Sequence, residues 1–195
     1  MSQIKIAIDA GHGLSNKTKG VYDPGFVENE VRECDIAYQF ALALKDRCAA
    51  NNVPFFMTRP LPESPCPVVR RAMMAADAGC THFVSIHANQ WDDPNVNGVE
   101  VFIRSDKSKS WGETLLGAAL SMYPKPKSRG VKRDSESQYS KLAVLNFENL
   151  SKNNVGCLVE LGFMSNPNDL SIITKRESRI IMADAFISSV VRQWR

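Results

Sequence analysis

The sequence predicts an α/β domain in three layers, with a mainly parallel sheet covered by helices on both faces. Short apolar runs alternate with stretches of helical periodicity along the chain, and strand–helix–strand order implies crossovers between parallel strands. The 195 residues are about one domain's worth, enough for a core that stands without staples. The segments DAGHG, SIHAN and VELGF each fall at or just past the end of an expected strand, where ligands bind in open α/β sheets.

Taken in order, Ile4 to Ile8 alternates and runs into Asp9, Gly11 and Gly13, a strand followed by a loop. Asn16 to Asn29 is rich in Gly, Asp, Asn and Pro and reads as a long loop. From Val31 to about Ala50 the pattern is helical, with Ala37, Phe40, Ala41, Leu44 and Cys48 on one face. Val53 to Thr58 is a second strand, and Pro60 to Pro67, with four prolines, must be loop. Val68 to Ala78 is a second helix, with Val68, Ala72, Ala75 and Ala76 apolar. His82 to Ile86 and Gly98 to Ile103 are strands. Ser110 with Glu113 suggests a capping box for a helix from Trp111 to Tyr123. Lys125 to Tyr139 is polar and basic and is expected to be mobile, and Ser140 to Asn149 suggests a short helix. Val155 to Leu161 is a buried strand, and Ile180, Ala183, Ile187, Val190, Val191 and Trp194 share a face of a last helix.

Composition narrows the function. A net charge of +3 suits an anionic surface but lacks the dense basic patch of a nucleic-acid binder, so no nucleic-acid partner is expected. No segment approaches the about 20 apolar residues of a membrane span, so no membrane insertion is expected. Cys34, Cys48, Cys66, Cys80 and Cys157 are scattered without a CxxC pair, which fits reduced thiols better than a disulfide framework or a four-cysteine zinc knuckle. The start MSQIKIAIDAGHG has too short an apolar stretch for a signal peptide and reads as a first strand.

Three histidines are present. His12 lies between two glycines after the first strand, and His87 ends the third. His82 is an odd number of residues before His87 and faces the other side of a regular strand, which suits a structural role. His12 and His87 serve either as metal ligands or as hydrogen-bonded turn residues. A hydrolytic zinc centre needs about three protein ligands and one open position. Glu33 supplies a third: it shares the core-facing stripe of Ala37, Phe40 and Leu44, whereas Asp35 continues into the solvated face of Gln39 and Asp46. A carboxylate on a buried face is costly without a cation or donors. The alternative, an exposed first-turn acid favoured by the helix dipole, describes Glu28 and Glu30 better. Glu160 is the lone acid of the strand CLVELGF. Apolar surroundings raise its pKa, which suits a general base, unless a structural arginine holds it.

In order along the chain, DAGHG, RECD opening a helix, FVSIHAN, RGVK and LVELGFMSNPND resemble the zinc-dependent N-acetylmuramoyl-L-alanine amidases of bacterial cell walls and phage lysins. The resemblance runs from Ile6 to about Leu170. It implies a single α/β domain with a mostly parallel sheet of about six strands. It further implies one zinc ion on His12, Glu33 and His87, and Glu160 as the catalytic glutamate. Asn89, Arg129 and Lys132 are candidate substrate contacts, although surface charge accounts equally well for the two cations. The chain departs from the family pattern at Cys34, at Ala76, in the expansion Arg133 to Ser140 and at Asn154-Val155-Gly156, none of them an implied ligand.

Peptidoglycan is therefore the expected partner, and the amide between the muramic acid lactyl group and L-alanine the expected target. The rival readings are a different zinc peptidase and an inert wall-binding module. The absence of an HExxH helix disfavours the commonest metalloprotease type. With no export signal and no room for a separate wall-binding domain, residues 1–195 read as one catalytic domain. Such a chain would be a phage or prophage lysin made in the host cytoplasm and acting on the wall after release, the alternative being a catalytic domain excised from a longer chain.

Overall fold

The computed structural model describes residues 4–193, so Trp194, expected on the apolar face of the last helix, lies outside the described residues. In chain order the elements are β1 (Ile6–Ala10), β2 (Gly13–Leu14), β3 (Tyr22–Asp23), β4 (Val27–Glu28), β5 (Val31–Arg32) and α1 (Glu33–Ala50). They continue with β6 (Phe55–Met57), α2 (Val68–Asp77), β7 (His82–Asn89), β8 (Val99–Ile103) and α3 (Lys109–Leu120). β9 (Ser128–Arg133), β10 (Val155–Phe163), α4 (Pro167–Ile173) and α5 (Arg176–Gln193) complete the fold.

Six strands form one sheet in the order β6-β1-β7-β10-β8-β9. β6, β1, β7 and β10 are parallel, and β8 pairs antiparallel to β10 with β9 parallel beside it. The expected α/β, mostly parallel, three-layer architecture is what the chain adopts. Strand parity sorts the side chains into two cores. Ile6, Ile8, Val84, Ile86, Val101 and Val159 pack under α1, α3 and α5, with Phe40, Trp111 and Phe186 in the same cluster. Ala7, Phe83, Phe102 and Leu158 face the other way, against Ala72 and Ala75 of α2 and the 3-10 turn Ala143–Asn149.

The local expectations need four corrections. The capping box at Ser110 does not form: α3 starts at Lys109, its N-cap is Ser108, and no side chain caps it. Lys125 to Tyr139 is not a mobile loop, because Ser128–Arg133 is the edge strand β9. Its basic character hides a strand whose cations are neutralised by acids of neighbouring elements. The segment at Asn16 to Asn29 is not all loop: it carries β3, paired with β2 just before it, and β4, paired with β5 just after it. The short helix expected at Ser140 to Asn149 is a 3-10 turn.

All five thiols are free and buried. Burial pushes Cys48 up to about 12 and Cys80 up to about 11.

Candidate metal centre and active site

The site grows from the carboxyl end of β1. Past Ala10 the chain turns through Gly11 to His12, which adopts a left-handed backbone with φ 59°. Gly11 is required there, because a Cβ would lie 2.4 Å from the His87 ring. Buried cations hold the turn from below. Arg71 Nη1 donates to Asp9 Oδ1 at 2.9 Å and to the Ala10 carbonyl at 2.6 Å. Its Nη2 donates to the His12 carbonyl and to Asn16 Oδ1, and Arg59 donates to the carbonyls of Ala10 and Gly11. The loop's backbone acceptors are thus satisfied without water.

The His12 ring is fixed from both sides. Its Nδ1 lies 3.1 Å from Asp23 Oδ2, and its Nε2 lies 2.9 Å from Glu33 Oε1. Asp23 is held in turn by Asn16 Nδ2 and by the Gly25 amide. Burial alone would raise the Asp23 carboxyl, but those donors and His12 bring it down to about 2.

Glu33 opens α1 on its buried side. Its Oε1 lies 2.9 Å from His87 Nδ1 and accepts from the Ala88 amide, while Oε2 accepts from the Phe26 amide. Burial opposes its charge, yet the bonds from His12 and His87 hold its pKa below the usual carboxylate range. Burial likewise lowers His12, and the Glu33 and Asp23 carboxylates outweigh it and raise the ring's pKa. The three residues expected as ligands therefore meet, with one ligand atom from each lying within 4.8 Å of the others. Ligand atoms sit about 3.4 Å apart around a tetrahedral zinc with bonds of about 2.1 Å, so small side-chain rotations close the set. Two imidazoles and a carboxylate, with a carboxylate orienting one imidazole from behind, suit zinc.

Glu160 stands one strand over. It pairs with His87 across β7 and β10 and with Glu100 across β10 and β8, at strand spacings of about 4.8 Å. Its Oε2 is sealed from solvent without a hydrogen-bond partner among the described residues. Burial, then the charges of Glu33 and Glu100, raise its pKa well above the ordinary carboxylate value. The expected alternative, a structural arginine on Glu160, is not what the described residues build.

Asn89, Arg129 and Lys132 converge on a different acid. Asn89 Nδ2 donates to Glu100 Oε1 at 2.7 Å, while Arg129 Nε and Lys132 Nζ donate to Oε2 at 2.8 and 2.6 Å. Burial would raise Glu100, and Lys132 and Arg129 pull its pKa below the ordinary value. Sequence reasoning missed Glu100, although it carries the signal that singled out Glu160, a lone acid in an apolar strand. It also missed Asp23, for which a loop composition offers no periodicity to read. His82 lies on the opposite face, edge-on to Trp111 at 4.5 Å between ring centroids.

A parallel-stranded α/β fold with a His–Glu–His cluster at its strand ends, beside a carboxyl group whose pKa is raised, has the make-up of a metal-dependent hydrolase. Residues 6–192 match the family described as N-acetylmuramoyl-L-alanine amidase, and the chain belongs to that family. Among curated proteins, the probable cell wall amidase LytH of Staphylococcus epidermidis is 31% identical over 109 residues, 55% of this chain and 33% of that protein. The chain thus aligns with only about a third of that relative's length. Among solved structures, the N-acetylmuramoyl-L-alanine amidase AmiC2 of Nostoc punctiforme is 24% identical with a TM-score of 0.76, covering 97% of this chain and 96% of that one. The catalytic domain of the CD27L endolysin targeting Clostridia difficile is 17% identical with a TM-score of 0.71, covering 97% and 98%. Both share the fold.

Proposed function

We propose that the protein is a zinc-dependent amidase that hydrolyses the bond between the muramic acid lactyl group and the L-alanine of the peptidoglycan stem. The observation that carries this reading is the convergence of His12, Glu33 and His87, with the half-buried acid Glu160 in register with His87. When bound there, zinc supplies Lewis acidity to an amide carbonyl and to a water molecule. His12, Glu33 and His87 hold it, and Asp23 fixes the His12 ring so that Nε2 faces the site. Burial, then the nearby carboxylates of Glu33 and Glu100, raises the Glu160 pKa, which suits a group that both takes up and returns a proton. Glu160 then takes a proton from the attacking water as its oxygen adds to the carbonyl carbon. It returns that proton to the nitrogen as the C–N bond breaks, leaving a lactyl carboxylate and a free L-alanine amine.

Asn89, Arg129 and Lys132 bond Glu100, the register neighbour of Glu160, which supports them as candidate substrate contacts. A role as a lysin acting on the wall after release is the finer part of the reading, supported by the fold shared with an endolysin catalytic domain. Among the described residues no helix is long and apolar enough to cross a membrane.

The test is to incubate the protein with peptidoglycan, with chelator and after zinc is restored, and to identify the new ends by mass spectrometry. Stem peptides starting with free L-alanine, formed only with zinc, are expected. Release of a terminal amino acid instead, or an intact wall, overturns the proposal. Clearing of bacterial cells by added protein tests the lysin role, which fails if isolated wall is cut and cells of the same strain, made permeable, are not.

A further inference from the structure

The sheet carries one row of side-chain positions from the candidate metal centre to its far edge. His87, Glu160, Glu100 and Gly130 are register partners on β7, β10, β8 and β9. With strands about 4.8 Å apart, Glu100 lies about 5 Å and Gly130 about 10 Å from Glu160 along the row. At its end the register slips: Val99 pairs with Ser128 and Glu100 with Gly130, leaving Arg129 as the extra residue of a β-bulge. Arg129 and Lys132 are three residues apart and would face opposite sides of a regular strand. The bulge re-aims Arg129, and both cations reach the same oxygen of Glu100. Gly130 absorbs the bend with φ 87°, and the place where its Cβ would stand is open space.

Two cations here serve one carboxylate. The Glu100 side chain is 5% exposed, whereas those of Arg129 and Lys132 are 30% and 28% exposed. Lys132 spends one of its ammonium donors on Glu100, and Arg129 spends only Nε, leaving its terminal nitrogens uncommitted among the described residues. A cation–π contact, with Arg129 Cζ 4.9 Å from the Phe163 ring centroid, restrains the guanidinium. A surplus positive charge with unspent donors thus stands on Glu100, the register neighbour of Glu160, a buried carboxylate that leaves it little freedom.

Building on the amidase reading, we propose that Arg129 and Lys132 form an anion subsite for a free carboxylate of the stem peptide one residue beyond the cleaved amide. An extended peptide advances about 3.3–3.6 Å per residue. A carboxylate on the second stem residue therefore falls about 5–8 Å from the scissile carbon, comparable with the one-strand step of about 5 Å from Glu160 to Glu100, the acid that both cations bond. A glutamate linked through its side chain offers that carboxylate, and its α-amide does not.

The experiment compares zinc-loaded protein on two soluble substrates, muramoyl-L-alanyl-D-isoglutamate and its α-amide, following release of the free L-alanine amine. A charge-assisted contact favours the acid by about 10- to 100-fold in kcat/KM. Lys132→Met, with Arg129 and Asn89 still on Glu100, is expected to bring the acid-to-amide ratio toward one. The ratio is the readout, because a folding defect lowers both rates alike. Equal cleavage of the two substrates by the wild-type protein overturns the subsite and leaves the amidase reading standing. Cleavage of neither, by protein that holds zinc, overturns the amidase reading and the subsite with it.

Discussion

Glu33 Oε1 is the point on which the site turns, since His12, His87 and the Ala88 amide all converge on that one oxygen. Its neighbours divide by task, and substitutions are expected to separate them. Glu160→Gln keeps the shape of the side chain and should retain stoichiometric zinc while losing about 10²- to 10⁴-fold in rate. Metal analysis beside a turnover assay checks this, and full activity in the variant would remove Glu160 from the role of base. Asp23→Asn is expected to weaken zinc by about 10- to 100-fold, read from competition with a chromogenic chelator. Unchanged affinity would reduce Asp23 to a loop residue. The meeting of His12, Glu33 and His87 is legible in the sequence because DAGHG and SIHAN fall at strand ends and RECD opens the helix beside them. Asp23 is not, because what ties it to His12 is the fold of an irregular segment and not a repeat in the sequence.

Elements place those residues through small irregularities. β7 runs three residues further than its apolar pattern implies, so His87 and Asn89 are strand positions and not a following loop. α4 is too short for periodicity to reveal, although Asn166 followed by Pro167 signals an N-cap and first turn, and the Asn166 side chain accepts from two amides there. The edge strand β9 is illegible for a different reason: a bulge, an exposed edge and basic residues leave no period-two pattern. On the far face of β7, burial depresses His82 to about 4 from 6.5. The unfolded chain then takes up its proton first, so stability rises with pH and is lost as pH falls from about 6.5 to about 4. The loss is about 3 kcal/mol at most. Urea midpoints across that range should show it, and His82→Gln should flatten the slope. A wild-type curve with the opposite slope would mean that His82 is charged in the fold.

Over the whole molecule, the buried pair Asp9–Arg71 joins β1, α2 and the loop that bears His12. Thr58 and Ser85 also donate to Asp9, from the strands' neighbourhoods on either side of β1. Burial alone would raise the Asp9 carboxyl, but Arg71 and those hydroxyls hold it below 3.8. Its contribution to stability is therefore present above about 3.8 and lost as pH falls further. Arg71→Met leaves the buried Asp9 without its counter-ion and is expected to cost about 3–5 kcal/mol in denaturant melts. A loss below about 1 kcal/mol would mean that water replaces the guanidinium. The layered architecture is readable from alternation alone, since it depends on which segments are apolar. The pairing of two buried charges from distant segments is not, because no local pattern relates Asp9 to Arg71.

The five buried thiols bear on how this chain can be handled. A thiolate is the reactive form, and burial disfavours it at Cys48, Cys80 and Cys157 alike. Preparations are therefore expected to stay intact without a dithiol. That frees every measurement of zinc from a reagent that would itself strip the ion and imitate a broken ligand.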